Sequence, residues 1–194
     1  MHIISGKFKN QKLIVPKGNI TRPTSGRLRE SLFNICQGYI EDVAFLDLFA
    51  GSGAIGFEAL SHGAKHVTFV DAAKLSCSCI EENAKNLGLL KQVDILYGDV
   101  FDQLARLIKR NRQFDMIYVD PPYDAFKTIE KSNVSFSTLI LKMIDEGKLL
   151  KTEGELFIED SLDSKPEIEQ LTTLKLKSSR RLGRSILQQY VLIQ

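Results

Sequence analysis

A chain of 194 residues, 43% hydrophobic and 26% charged, has the length for one medium domain with a sizeable core, and its ordinary composition excludes a disordered or fibrous class. No apolar run approaches the roughly 20 residues that span a bilayer, and the opening MHIISGKFKNQ lacks the apolar segment of a secretory signal, so a cytoplasmic protein without a membrane partner is expected. Net charge is +2, yet residues 1–31 sum to +6, 170–194 to +5 and 32–169 to −9, and basic ends on an acidic body suggest a polyanion met in one region.

In chain order, HIISG and KLIV flank a KFKNQ turn and predict a small hairpin. RPTSGRLRESLFNIC then starts a helix after Pro23, capped by Thr24 or Ser25. Its apolar stripe is Leu28, Leu32, Ile35 and Cys36, with Arg27 and Arg29 placed elsewhere on its surface. From residue 43 apolar runs alternate with helical patterns. Strands are predicted at 43–49, 66–71, 93–99, 114–120 and 154–159, and helices at 55–63, 73–88, 101–111, 135–146 and 164–171. Two final strands, 174–178 and 186–193, form a hairpin around Gly183. This alternation predicts an α/β, doubly wound, mostly parallel sheet with antiparallel C-terminal strands. Residues 1–42 read as a hairpin-and-helix extension and 43–194 as the main domain. Cys36, Cys77 and Cys79 are too few and too badly spaced for a disulfide framework, and three scattered histidines offer no metal spacing. Free thiols and no metal are expected, with a monomer as the default.

FAGSGAIG places Gly51, Gly53 and Gly56 between a strand and a helix, where glycines permit a tight turn and close approach of a ligand. Asp71 ends the next strand, 20 residues after Gly51, where a carboxylate can accept both hydroxyls of a ribose. These features suit a dinucleotide or S-adenosylmethionine equally. Asp47, four residues before Gly51, would repel a pyrophosphate but favour a sulfonium that carries an ammonium. Asp99, in GDVF, can accept from an adenine amino group. A cationic nucleoside cofactor therefore fits these strand-end acids better than a phosphate-rich one.

MIYVDPPYDAF ends the fourth parallel strand in Asp120, Pro121, Pro122 and Tyr123, expected on the same edge as the other three acids. An exocyclic amino group on a base is a poor nucleophile because its lone pair is delocalised into the ring. Asp120 and a backbone carbonyl of the Asp-Pro-Pro run can grip its N–H protons, and prolines add no competing N–H. Tyr123 offers a face on which an extruded base can stack.

LDLFAGSGAIGFEAL, DPPY and RPTSGRLRESLFN together resemble the ribosomal RNA small subunit methyltransferase D family, over essentially the whole chain. The resemblance implies a Rossmann-like class I methyltransferase of residues 43–194. It implies transfer of a methyl from S-adenosylmethionine to the N2 amino group of a guanine in 16S ribosomal RNA, free or in the small subunit. Asp47, Phe49, Ala50, Gly51, Gly53, Asp71, Asp99 and Val100 would hold the cofactor, and Asp120, Pro121 and Tyr123 the guanine amino edge. Arg22, Thr24, Arg27, Arg29 and Pro122 would contact RNA, the N-terminal ones also lining the cofactor mouth. The chain departs from the family in Asp71, where relatives often have Glu, and in Leu182, where an aromatic before Gly183 is expected. Three other readings stay open: an adenine-N6 methyltransferase of DNA or RNA, which 194 residues leave little room to equip with a target-recognition region; a nucleotide-dependent oxidoreductase, in which Asp47 and DPPY have no role; and a non-catalytic RNA-binding module.

Overall fold

The computed structural model describes residues 1–16, 25–122, 125–129, 132–162 and 171–193. The chain divides into two compact units, Met1–Val100 and Phe101–Gln194, so the extension expected over 1–42 lies within the first.

In the first unit, helix α1 (Gly26–Cys36) begins at Ser25, whose hydroxyl accepts from the Leu28 amide. There follow β1 (Ala44–Leu48), α2 (Ala54–Ser61), β2 (His66–Asp71), α3 (Lys74–Asn86), a short 3-10 turn (Leu90–Gln92) and β3 (Val93–Tyr97). β2 is central: it pairs in parallel with β1, Leu48 opposite Val70, and with β3, Asp71 opposite Tyr97. Parallel neighbours need a crossover, which α2 and α3 provide. Strands covered on both faces lose their polar alternation, and β1 and β2 are buried at nearly every position. Every residue of α2 is buried too. Gly56 sets how closely α2 sits on β2, because a Cβ there would lie 2.2 Å from the Phe69 ring.

The N-terminal hairpin is reduced to a single antiparallel bridge, His2 with Lys12. Ile3 donates to the Gln11 carbonyl at 3.0 Å and Asn10 returns a bond to Ile3 at 2.9 Å. Most of its fastening goes to α2 instead. Glu58, 1% exposed, accepts from the amides of Ile4 at 3.0 Å and Ser5 at 2.8 Å. Ser61 accepts from the amides of Lys7 at its carbonyl and Phe8 at its hydroxyl, and its hydroxyl donates to the Ser5 carbonyl.

The second unit contains most of α4 (Val100–Lys109), then β4 (Phe114–Val119), β5 (Phe126–Ile129), β6 (Ser132–Ser135), α5 (Phe136–Gly147), β7 (Leu150–Ser161), β8 (Leu174–Leu182) and β9 (Ser185–Leu192). β4 runs parallel to β7, Val119 opposite Ile158, whereas β9 runs antiparallel to both β7 and β8. The expected α/β architecture, mostly parallel with antiparallel C-terminal strands, is the one found. β5 and β6 form a small separate hairpin that the sequence reading did not anticipate. The helix expected over 164–171 falls, except for its last residue, outside the described residues. Asp145 at the end of α5 fastens the entry to β8, accepting from the amides of Thr172, Thr173 and Leu174. Burial raises the pKa of that carboxyl, but the bonds from the amides and hydroxyls of Thr172 and Thr173 outweigh it and leave the pKa lowered.

Candidate functional site

The loop leaving β1 departs from ordinary backbone at three positions. Phe49, Gly51 and Gly53 have φ of 60°, 55° and 76°. Only the glycines adopt this without steric cost; for Phe49 the left-handed conformation costs on the order of 1 kcal/mol, a strain that surrounding structure must hold in place. The hold is visible: Ala50 donates to the Val70 carbonyl at 3.1 Å, and Gly53 closes a turn onto Ala50 at 2.7 Å. A side chain at Gly53 would also meet the Phe57 ring at 2.8 Å.

Asp71 knits this loop to the end of β2. One carboxylate oxygen accepts from the Gly51 amide and the other from the Ala73 amide, each at 2.7 Å, and the residue is 8% exposed. The carboxylate expected to take a ribose thus already braces the loop, and a diol would share its remaining lone pairs.

Asp47 is buried beneath the first turn of α2 rather than standing at the lip of the loop. It is 1% exposed, and its Oδ2 accepts from the Gly56 amide at 3.0 Å. Burial pushes its pKa up to about 7, against the Gly56 bond that lowers it and with a smaller push from Asp71. Asp99, after β3, is exposed, and Val100 is buried. Residues 47–56 include no lysine or arginine. A loop with no base, flanked by the acids Asp47 and Asp71, suits a cationic nucleoside and not a pyrophosphate.

Two structural residues of this unit escaped the sequence reading. Asn83 of α3 grips the backbone of Ile14, accepting from its N–H at 2.7 Å and donating to its carbonyl at 2.9 Å. It also donates to the Ser52 carbonyl at 3.3 Å, which ties the N-terminal segment to the glycine loop. Glu58 is the second, and it corrects the placement of Arg29. Arg29 does not lie on the surface: it is 5% exposed, pairs with Glu58 at 3.1 Å and donates to the His2 carbonyl at 2.9 Å. A lone acid in the otherwise uncharged α2 was the available signal, since a buried carboxylate calls for a cation. Arg27 is exposed as expected, while Arg22 and Thr24 lie outside the described residues. The Cys77 thiol, expected to be free, is free, and burial pushes its pKa up to about 11.

In the second unit the apolar run of β4 ends in half-buried Asp120, buried Pro121 and exposed Pro122. Tyr123 lies outside the described residues. The Pro122 carbonyl accepts from the Ala125 amide at 3.0 Å, and the Ala125 carbonyl accepts from Phe136 at the start of α5. Pro121, which directly follows Asp120, carries the nearer proline carbonyl. Lys127 of β5 lies 3.6 Å from the centre of the Phe101 ring, which meets Phe136 edge-on. In β4 the Tyr118 hydroxyl donates to Glu159 of β7 at 2.9 Å. The C-terminal hairpin exposes Lys175, Arg180, Arg181 and Arg184, while Lys177 pairs with Glu155. Among the described residues, no group of three or more His, Cys, Asp or Glu is arranged to hold a metal ion, and no helix is long and apolar enough to cross a membrane.

A family model described as conserved hypothetical protein 95 matches residues 1–191. The ribosomal RNA small subunit methyltransferase D of Haemophilus influenzae is 33% identical over 182 residues, covering 92% of this chain and 89% of that protein. Among solved structures, a hypothetical protein of Thermus thermophilus superposes with a TM-score of 0.80 at 24% identity, covering 100% of this chain and 99% of the other. A ribosomal protein L11 methylase of Lactobacillus delbrueckii superposes with a TM-score of 0.68 at 19% identity, over 98% and 90%. These two likenesses show the fold alone.

Proposed function

The chain belongs to the ribosomal RNA small subunit methyltransferase D family, and from that premise we propose that it transfers a methyl group from S-adenosylmethionine to the N2 amino group of a guanine in small-subunit ribosomal RNA. When bound, the cofactor supplies an electrophilic sulfonium methyl. The residues that would hold it are Asp47, Phe49, Ala50, Gly51, Gly53, Asp71, Asp99 and Val100. Their chemistry fits: a braced loop with positive-φ backbone, carboxylates for an ammonium and a ribose, and no lysine or arginine in the loop to favour a phosphate.

The observation that carries the reading is the end of β4. Asp120 supplies a carboxylate and Pro121, the next residue, a carbonyl. Two acceptors on one amino group draw its nitrogen toward tetrahedral geometry and bear the positive charge that develops as the N–C bond forms. Tyr123 stacks on the base, and one N–H proton leaves the nitrogen for solvent. Exposed Arg27, with Arg22, Thr24 and Pro122, contacts the RNA, and the protein works as a monomer in the cytoplasm.

The test is methylation of unmodified small-subunit ribosomal RNA, naked and as assembled particles, with labelled cofactor, followed by nucleoside digestion and mass spectrometry. N2-methylguanine is the expected product. N6-methyladenine, or transfer to DNA alone, overturns the proposal.

A further inference from the structure

Glu159 stands one register step beyond the last paired residues of β4 and β7. Val119 lies opposite Ile158, so one further step brings Glu159 level with Asp120. Matching positions on neighbouring parallel strands project to one face, with the strands about 4.8 Å apart. Tyr118 marks that face: it precedes Asp120 by two residues, and its hydroxyl donates to Glu159 Oε2 at 2.9 Å. Tyr118 is 1% exposed and Glu159 7%. The hydroxyl donor holds that oxygen of the carboxylate in place.

The amino group needs only Asp120 and Pro121, so a second carboxylate at this level meets something else. The neighbouring ring atom is where the two purine substrates differ. In guanine, N1 beside the amino-bearing carbon carries a proton and donates; in adenine, N1 beside its amino-bearing carbon carries a lone pair and accepts. A carboxylate accepts from the first and repels the second. We propose that Glu159, anchored by Tyr118, binds the N1–H of the target base and so selects guanine over bases with an unprotonated N1. This deepens the guanine reading and rests on it.

The experiment compares wild type with Glu159→Gln on a synthetic RNA carrying the methylated guanine, and on the same RNA with 2-aminopurine at that position. 2-Aminopurine keeps the amino group but presents a lone pair at N1. Wild type is expected to prefer guanine, and Glu159→Gln to narrow that preference about tenfold or more, because its amide can donate to N1 while still accepting from Tyr118. Equal losses on both RNAs, or an unchanged ratio, overturn the proposal. Circular dichroism and cofactor affinity report whether Glu159→Gln folds. If it does not, Tyr118→Phe carries the same comparison: a narrowed preference supports the proposal and an unchanged one overturns it. Absence of wild-type transfer to guanine RNA is a different failure. It is read before any variant is compared, and it overturns the proposed function together with this inference.

Discussion

Arg29 and Glu58, 29 residues apart in sequence, meet at 3.1 Å with side chains 6% and 1% exposed. Taking one partner away strands the other charge in the interior, a loss of about 3–5 kcal/mol. Arg29→Met should therefore lower stability by about that amount in urea unfolding, and leave the salt dependence of RNA binding unchanged. Arg27→Ala should do the reverse: little change in stability, and a salt slope smaller by about one. A flattened slope for Arg29→Met at wild-type stability would return Arg29 to the surface.

Asp47 should make cofactor affinity depend on pH near neutrality. Its folded pKa, about 7, stands above the ordinary value of 3.8. Between these values the native state holds a proton that the unfolded state lacks, so this group's destabilising effect is full above pH 7 and is relieved as pH falls toward 4. A cationic cofactor needs the ionised form, so affinity should weaken by up to about tenfold per unit below pH 7. Asp47→Asn should abolish that dependence in calorimetric titrations, while raising stability above pH 7 by about 2–4 kcal/mol. A pH-independent wild-type affinity would remove Asp47 from cofactor binding.

Asp120→Ala should lower kcat by about 10²–10³ or more, with cofactor affinity much less affected. Single-turnover rates and equilibrium binding separate the two effects. Loss of cofactor binding in this variant would show that Asp120 serves the cofactor and not the base.

Gly56→Ala drives a methyl group into the Phe69 ring, and overpacking of this kind costs about 1–3 kcal/mol. It should also disturb the Gly56 bond to Asp47 and so weaken cofactor binding. Phe69→Leu in the same chain should restore part of the melting temperature; a purely additive second loss would mean that the ring is not the obstacle.

The parallel strands were legible because they are short, apolar and closed by turn residues: 66–71 was read to the residue, and 114–120 to within one. β7 extends beyond the strand expected over 154–159 at both ends. Its first residues, after Leu150, are exposed, Glu153 has φ of 65°, and the register with β4 shifts between Phe114 and Met116, which hides the strand pattern before Gly154. β5 and β6 have too few apolar residues to register as strands. Spacing placed Asp71 at the end of β2 and Asp120 just after β4, where they stand, but the surroundings of the acids were not legible. Nothing in the sequence shows that Asp47 is sealed under a helix, or that Asp71 is occupied by its own loop. A stripe through Leu28, Leu32, Ile35 and Cys36 leaves Arg29 on the surface, where the structure does not have it. The buried face widens from Leu28 and Leu32 to take in Arg29 and Phe33, while Ile35 is only half-buried.

Asn83 leaves the molecule with a built-in reporter. The amide proton of Ile14 is held by a side chain that also holds the Ser52 carbonyl of the glycine loop. Exchange of that single proton with deuterium requires the clasp to open, so its rate is set by the same fluctuation that loosens the loop. A ligand that quiets the loop will be legible as slowed exchange at residue 14, in the absence of RNA and before any turnover.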